Sequence, residues 1–343
     1  MNVNILEHWD AYLGSFLPSQ KDIYYTEAYV RLNRRPGQNA LCVVVMQDSF
    51  VFLFPFLRNT VFHNGKTYYD FETAYGYGGG IANTDDEAFI TDAWLTTYNH
   101  LRDNNYICGF IRFNPLLKNY QHVPSEIHPI YDRHTIAIDL QPELDVIWKE
   151  QIATSNRSDI LRAERRGLTF RTTKAKVGMQ IFRELYAETM HRLHADDFYY
   201  FSNEYFANAA DALPNLIVGI VEYESEPAAA AIIMHNGYYA HYHLSGSKSK
   251  YQRLCPNNYM LWQAAKVLKE QGCRYFHLGG GTNGNEENSL YRFKQKFSRV
   301  NNDFYIGQPV FLPDVYQSVC AEWEARNPVQ AEMYKRILLK YHF

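Results

Sequence analysis

The sequence predicts an α/β protein built from two copies of one unit, each a mixed central sheet flanked by helices, packed around a shared cleft. Three observations carry this. The 343 residues suffice for about two domains, each with its own core. A hairpin, a strand, a helix and a strand recur in the same order in both halves. No Pro/Ser linker or low-complexity tract separates the copies. The expected domains are 1–150 and 151–343, the second carrying C-terminal helices, close enough together to form a ligand cleft.

In the first copy, Leu41 to Met46 and Phe50 to Leu57 are β-rich runs around a Gln-Asp-Ser turn, and a third run follows at Thr67 to Phe71. The glycine segment Tyr75 to Gly80 precedes a helix start at Thr84 to Glu87, and the strand Tyr106 to Phe113 closes the unit. In the second copy, Asn215 to Tyr223 and Ala228 to His235 flank the turn Glu224 to Pro227. Tyr238 to Leu244 is the third strand, Asn257 to Gln271 a helix, and Tyr275 to Leu278 the closing strand before Gly279 to Gly281. Between the copies, Glu143 to Lys149, Ser155 to Arg166 and Val177 to His194 read as helical, and Leu168 to Thr173 as extended.

Composition narrows the classes of function. Lys+Arg 34 against Asp+Glu 37 gives a formal net charge of −3, which excludes a polycationic nucleic-acid coat. The 28 Tyr and 21 Phe suit both an aromatic-rich sheet core and clefts that bind polar ligands. Five cysteines without a C-x-x-C pair suggest neither a disulfide framework nor a zinc ribbon, so a reducing, cytoplasmic location is expected. The most apolar window, Leu41 to Leu57, is interrupted by polar residues and too short for a membrane span.

Charge concentrates in two places. Between Asn156 and Lys176 stand seven basic residues against two acidic ones. Arg157 and Arg162, beside the apolar Ile160, Leu161 and Ala163, are the candidates for gripping phosphate or carboxylate; a solvated helix face is the alternative. The second island is Arg292-Phe293-Lys294-Gln295-Lys296-Phe297-Ser298-Arg299, where Phe293 and Phe297 at i, i+4 would face the core. Lys294 could then reach a cleft and stabilise negative charge. His241 and His243 share one strand face with no third ligand at metal spacing, so no metal is expected. Neither glycine segment matches a nucleotide-binding fingerprint.

Taken together, Arg157-x-x-x-Leu161-Arg162-Ala163-x-x-x-Gly167, Gly279-Gly280-Gly281 and Leu290-x-x-Phe293-Lys294-x-x-Phe297 resemble the Fem-type peptidyltransferases of the GNAT acyltransferase superfamily. The resemblance spans roughly residues 40 to 310. It implies two tandem GNAT-like domains and an N-acyltransferase or aminoacyltransferase. Such an enzyme moves its group from acyl-CoA or aminoacyl-tRNA, used as co-substrate rather than a tightly bound cofactor, to an amine. The acceptor would be a phosphate-bearing small-molecule or lipid-linked precursor of the cell envelope, peptidoglycan or a polysaccharide.

By the same resemblance, Lys294 of the Phe293-Lys294 pair contacts the donor or stabilises the transition state. Arg157 or Arg162 contacts an anionic group, and Tyr77, Gly78, Gly79 and Gly80 border the acceptor. Tyr242, His243 and His241 are the candidate proton acceptors and cleft residues. The usual pyrophosphate loop, [QR]-x-x-G-x-[GA], is here Gln252-Arg253-Leu254-Cys255-Pro256-Asn257, which lacks both glycines. Gln252, Asn257 and Asn258 are the residues expected at the donor. The alternative function is a catalytically degenerate binding protein of the same fold, for tRNA or an anionic glycan.

Overall fold

The computed structural model describes residues 1–196 and 199–343. Two compact units divide the chain: Met1–Asp132 with Asp303–Phe343, and Arg133–Asn302.

The first unit opens with β1 (Asn2–Leu6) and α1 (Glu27–Leu32), followed by β2 (Asn39–Gln47), β3 (Phe50–His63) and β4 (Lys66–Glu72). These strands form an antiparallel meander in the order β1-β2-β3-β4. Asn64 and Gly65 join β3 to β4 with φ of 48° and 70°, the two-residue left-handed turn that asparagine and glycine adopt at low cost. A short β5 (Ile81–Ala82) pairs with β3, and α2 (Glu87–Asp103) starts where the Asp86 carboxylate accepts from the Phe89 amide. β6 (Tyr106–Arg112) then lies parallel to β4. An aromatic core of Phe52, Phe54, Phe56, Phe71, Trp94 and Phe113 fills the space between sheet and α2.

The chain passes to the second unit through β7 (Ile130–Asp139), the short helix α3 (Leu144–Val146), α4 (Thr154–Arg165), β8 (Thr169–Lys174), α5 (Ala175–Leu193) and α6 (Asn203–Ala212). β9 (Leu216–Tyr223), β10 (Glu226–His235) and β11 (Tyr239–Ser247) continue from β8 as an antiparallel meander. After α7 (Pro256–Glu270), β12 (Tyr275–Gly280) lies parallel to β11. The expected repeat is therefore present. Each unit has a leading edge strand, helical structure, a three-strand meander, a helix and a parallel strand.

The partition differs from a boundary at residue 150. β7 pairs antiparallel with β12, from Asp139↔Tyr275 to Thr135↔Gly280, so the second unit begins at Arg133. Beyond α8 (Ser289–Gln295), β13 (Asn301–Gly307) pairs antiparallel with β6. The expectation that the C-terminal helices belong to the second domain is corrected. α9 (Pro313–Arg326) packs Val319 against Val61 and Ile107 of the first unit, where α10 (Pro328–Met333) also lies.

Candidate active site

In the second unit, β11 and β12 are paired only from Tyr239↔Tyr275 to His241↔His277. β11 continues to Ser247 and β12 to Gly280, so the parallel strands part beyond the two histidines. Both are distorted there. Against β10 the register slips so that Ile232 faces Leu244 and Ile233 faces Tyr242, leaving His243 as the extra residue of a bulge; β12 slips against β7 between His277 and Gly279. Bulges re-aim side chains and free backbone groups, which is why they recur beside active sites.

Buried polar groups gather at this opening. The His241 and His277 rings meet edge to face, centroids 5.5 Å apart. Burial drives the His277 pKa well below its ordinary value, helped by His241 and Lys294, so the ring is neutral. His243 Nε2 lies 3.0 Å from Tyr205 Oη on α6, and burial with His241 beside it pushes its pKa down to about 3. Lys294 on α8 is buried and donates from Nζ to the Gly280 carbonyl at 2.7 Å. Its pKa is lowered from 10.5 to about 7, chiefly by burial and then by the Arg133 guanidinium. Arg133 donates to the next carbonyl, Gly281, at 2.9 Å.

Phe293 and Phe297 flank Lys294, their rings 5.6 Å apart; Phe297 is in the second unit's core and Phe293 packs against it. The spacing that puts the two rings on the core leaves the intervening lysine aimed at the end of β12.

Tyr242 points to the opposite sheet face from His241 and packs on the apolar core. Burial pushes its phenol up to about 12. Of the expected proton acceptors Tyr242, His241 and His243, burial thus holds the Tyr242 phenol protonated and disfavours the charged form of His243.

Arg157 is also reassigned. Its Nη1 donates to the carbonyls of Trp148, Lys149 and Ile152 at 3.0, 2.7 and 3.2 Å, and its Nη2 to Thr154 Oγ1 at 3.1 Å. The guanidinium ties the segment before α4 to that helix. Arg162, one turn on, is exposed, bonds Asp159 and lies 3.7 Å from the Cys255 sulfur at the start of α7.

The residues expected at the donor lie at this helix start. Gln252 is exposed, and its carbonyl accepts from the Cys255 amide at 3.0 Å. Cys255 caps α7 with φ of 57°, and Pro256 takes the first helical position. Asn257 Oδ1 is buried without a hydrogen bond among the described residues. Asn258 donates to Asn156 Oδ1 at 2.7 Å, and the fully buried Asn156 donates to the Lys296 carbonyl at 3.3 Å, tying α4, α7 and the segment after Lys294 together.

The first-unit glycine segment is a packed turn, contrary to the expectation that Gly78, Gly79 and Gly80 border an acceptor. All three are buried. The Gly78 carbonyl accepts from Tyr25 Oη at 2.7 Å and Asn119 Nδ2 at 2.8 Å, and Asn119 also donates to the Gly80 carbonyl at 3.0 Å. A Cβ on Gly80 would stand 2.2 Å from the Phe52 ring. Tyr77 is half-buried, edge-on to Tyr24 and Phe304.

Sequence reasoning did not single out His277, Arg133 or Tyr205. His277 sits alone in an apolar strand, and only its register opposite His241 gives it meaning. Among the described residues, no group of three or more His, Cys, Asp or Glu side chains could hold a metal ion.

Residues 154–295 match the acetyltransferase (GNAT) domain model. No curated protein matches the sequence. Among solved structures, FemX superposes with a TM-score of 0.68 at 15% identity, covering 92% of this chain and 99% of its own. L-PGS from Bacillus licheniformis superposes at 0.54 with 14% identity, over 87% and 90% of the two chains. A protein described as the C-terminal domain of a lysylphosphatidylglycerol synthetase from Agrobacterium fabrum also gives 0.54, with 16% identity over 85% and 89%. At these identities the likeness is one of fold. Residues 154–295 thus match a GNAT acetyltransferase domain, and the chain as a whole shares its fold with FemX.

Proposed function

We propose that the chain transfers an aminoacyl or acyl group from an activated carrier ester to an amine, with the chemistry at the opening between β11 and β12. The observation that carries this is Lys294, a buried ammonium fixed on the Gly280 carbonyl where the two strands part. The acceptor amine attacks the donor carbonyl, and the Lys294 ammonium donates to the oxyanion that forms. The oxyanion then collapses and the carrier oxygen leaves. Positioning and charge stabilisation supply the acceleration, without a covalent enzyme intermediate. The proton shed by the amine goes to solvent or to a phosphate of the acceptor; His243 and Tyr242 are poor acceptors for it.

The start of α7 favours an aminoacyl-tRNA donor over acyl-CoA. Helix N-termini hold pyrophosphate through free amides. Here Pro256 has none and the Cys255 amide is bonded to Gln252, which takes away two of the four amides such a terminus offers. The acceptor in this reading is an amine on a phosphate-bearing envelope precursor, with Arg162 and Arg166 among the cations on α4 and at its end.

Thermal unfolding in the presence of each candidate donor tests the reading, because a ligand bound to the native state raises the midpoint by mass action. Aminoacyl-tRNA should raise it and acetyl-CoA should not. The reverse result overturns the choice of donor, and no shift with either overturns the site.

A further inference from the structure

The first unit carries a second arrangement with chemical potential, which the transfer reaction does not use. His63, the last residue of β3, is buried, and α9 presents Ser318 and Glu322 to its ring. His63 Nδ1 lies 2.9 Å from Glu322 Oε2, and His63 Nε2 lies 2.9 Å from Ser318 Oγ. Positions i and i+4 of one helix thus grip the two nitrogens of one imidazole.

The roles follow from donor and acceptor counting. The Glu322 carboxylate, which also pairs with Arg326, only accepts, so Nδ1 must carry the proton. Nε2 is then the acceptor, and the Ser318 hydroxyl donates to it. This is the polarity of a nucleophile, a base and an orienting carboxylate, which is recognised by geometry rather than by sequence order. Asn64 Nδ2 also stands 3.1 Å from Nε2 and is a second donor to the same lone pair. Access fits as well. Ser318 is exposed while the imidazole that would activate it is buried.

We infer that Ser318, His63 and Glu322 form a second, nucleophilic site on this chain, which takes acyl groups from small activated esters onto Ser318 Oγ. Ser318 Oγ bonds to the ester carbonyl carbon as its proton passes to His63 Nε2. The ester C–O bond breaks, and the leaving alcohol takes that proton. Water then cleaves the acyl-serine, giving the carboxylic acid and restoring the hydroxyl.

The test is labelling of the full chain with a fluorophosphonate, read by peptide mass spectrometry, alongside release of nitrophenol from p-nitrophenyl acetate. The expected result is one phosphonyl group on Ser318, absent in Ser318→Ala. Labelling should slow by roughly 10²-fold or more in His63→Gln and Glu322→Gln. Melting curves accompany each variant. Should His63→Gln fail to fold, the exposed Glu322→Gln carries the test. No phosphonyl on Ser318, or labelling at the wild-type rate in Glu322→Gln, overturns the inference and leaves the cluster as a polar clasp between β3 and α9.

Discussion

Lys294 Nζ donates to the Gly280 carbonyl at 2.7 Å, which fixes a buried ammonium at the last residue of β12 with one of its three N–H groups. That contact joins the helix after the glycine segment to the strand before it. If Lys294 stabilises the oxyanion, Lys294→Met should lower turnover about 10²- to 10³-fold. The stem remains and the charge is lost. Turnover within a factor of two of the parent enzyme would remove Lys294 from the reaction.

The ionisation of Lys294 gives a signed pH dependence. With its pKa lowered to about 7, the ammonium is present below that pH and lost above it. The free-enzyme profile, kcat/KM against pH, should therefore fall on its alkaline side with a midpoint near 7. A limb rising through the same region that moves with Arg133→Gln, as the acceptor amine's own ionisation would not, would mean that Lys294 acts as a base.

Arg133 offers a way to move that limb. It is the second cause of the depressed Lys294 pKa, after burial, and it donates to the carbonyl following the one Lys294 holds. Arg133→Gln keeps an N–H donor and removes the like charge. The alkaline limb should shift upward yet stay well short of 10.5, because burial remains the larger cause. An unmoved limb would show that the guanidinium does not act on Lys294.

The fold was far more legible in the sequence than the site. Alternating apolar runs around short polar turns marked both meanders, and the Asp86 cap marked α2, because these signals are local. β13 carries no such signal, since its place is set by pairing with β6, where Ile306 meets Arg112 from far earlier in the chain. At the site, the i, i+4 phenylalanines pointed to a lysine held in place, which is again a local pattern. Arg157 stood in the same basic run as Arg162, and sequence could not tell which guanidinium is taken up by carbonyls. His277 needed the register of a parallel pair to meet His241.

Arg157→Met tests its reassignment. Removing the guanidinium leaves the carbonyls of Trp148, Lys149 and Ile152 without this donor, which should cost about 1–3 kcal/mol in a half-buried setting. The melting temperature should drop by several degrees, while affinity for an anionic acceptor, measured well below the melting point, stays unchanged. An intact melting temperature with weakened binding would return Arg157 to the ligand.

The depressed Lys294 pKa also makes stability depend on pH, and the sign is opposite to that of a stabilising ion pair. Between about 7 and 10.5 the unfolded chain holds a proton on this lysine that the folded chain has released. Stability from this group therefore rises with pH across that window, and below about 7 both states are protonated and the full cost of burying the ammonium applies. Lys294→Met removes that cost and loses the bond to Gly280, a loss that does not follow the titration. The variant's melting temperature minus that of the parent should thus be most favourable near pH 6 and decline steadily towards pH 10, whatever its absolute sign. Melting curves of both proteins across that range decide the matter. A difference that is constant with pH would show that Lys294 keeps an ordinary lysine pKa in the folded protein, and the alkaline limb of the activity profile would then need another group.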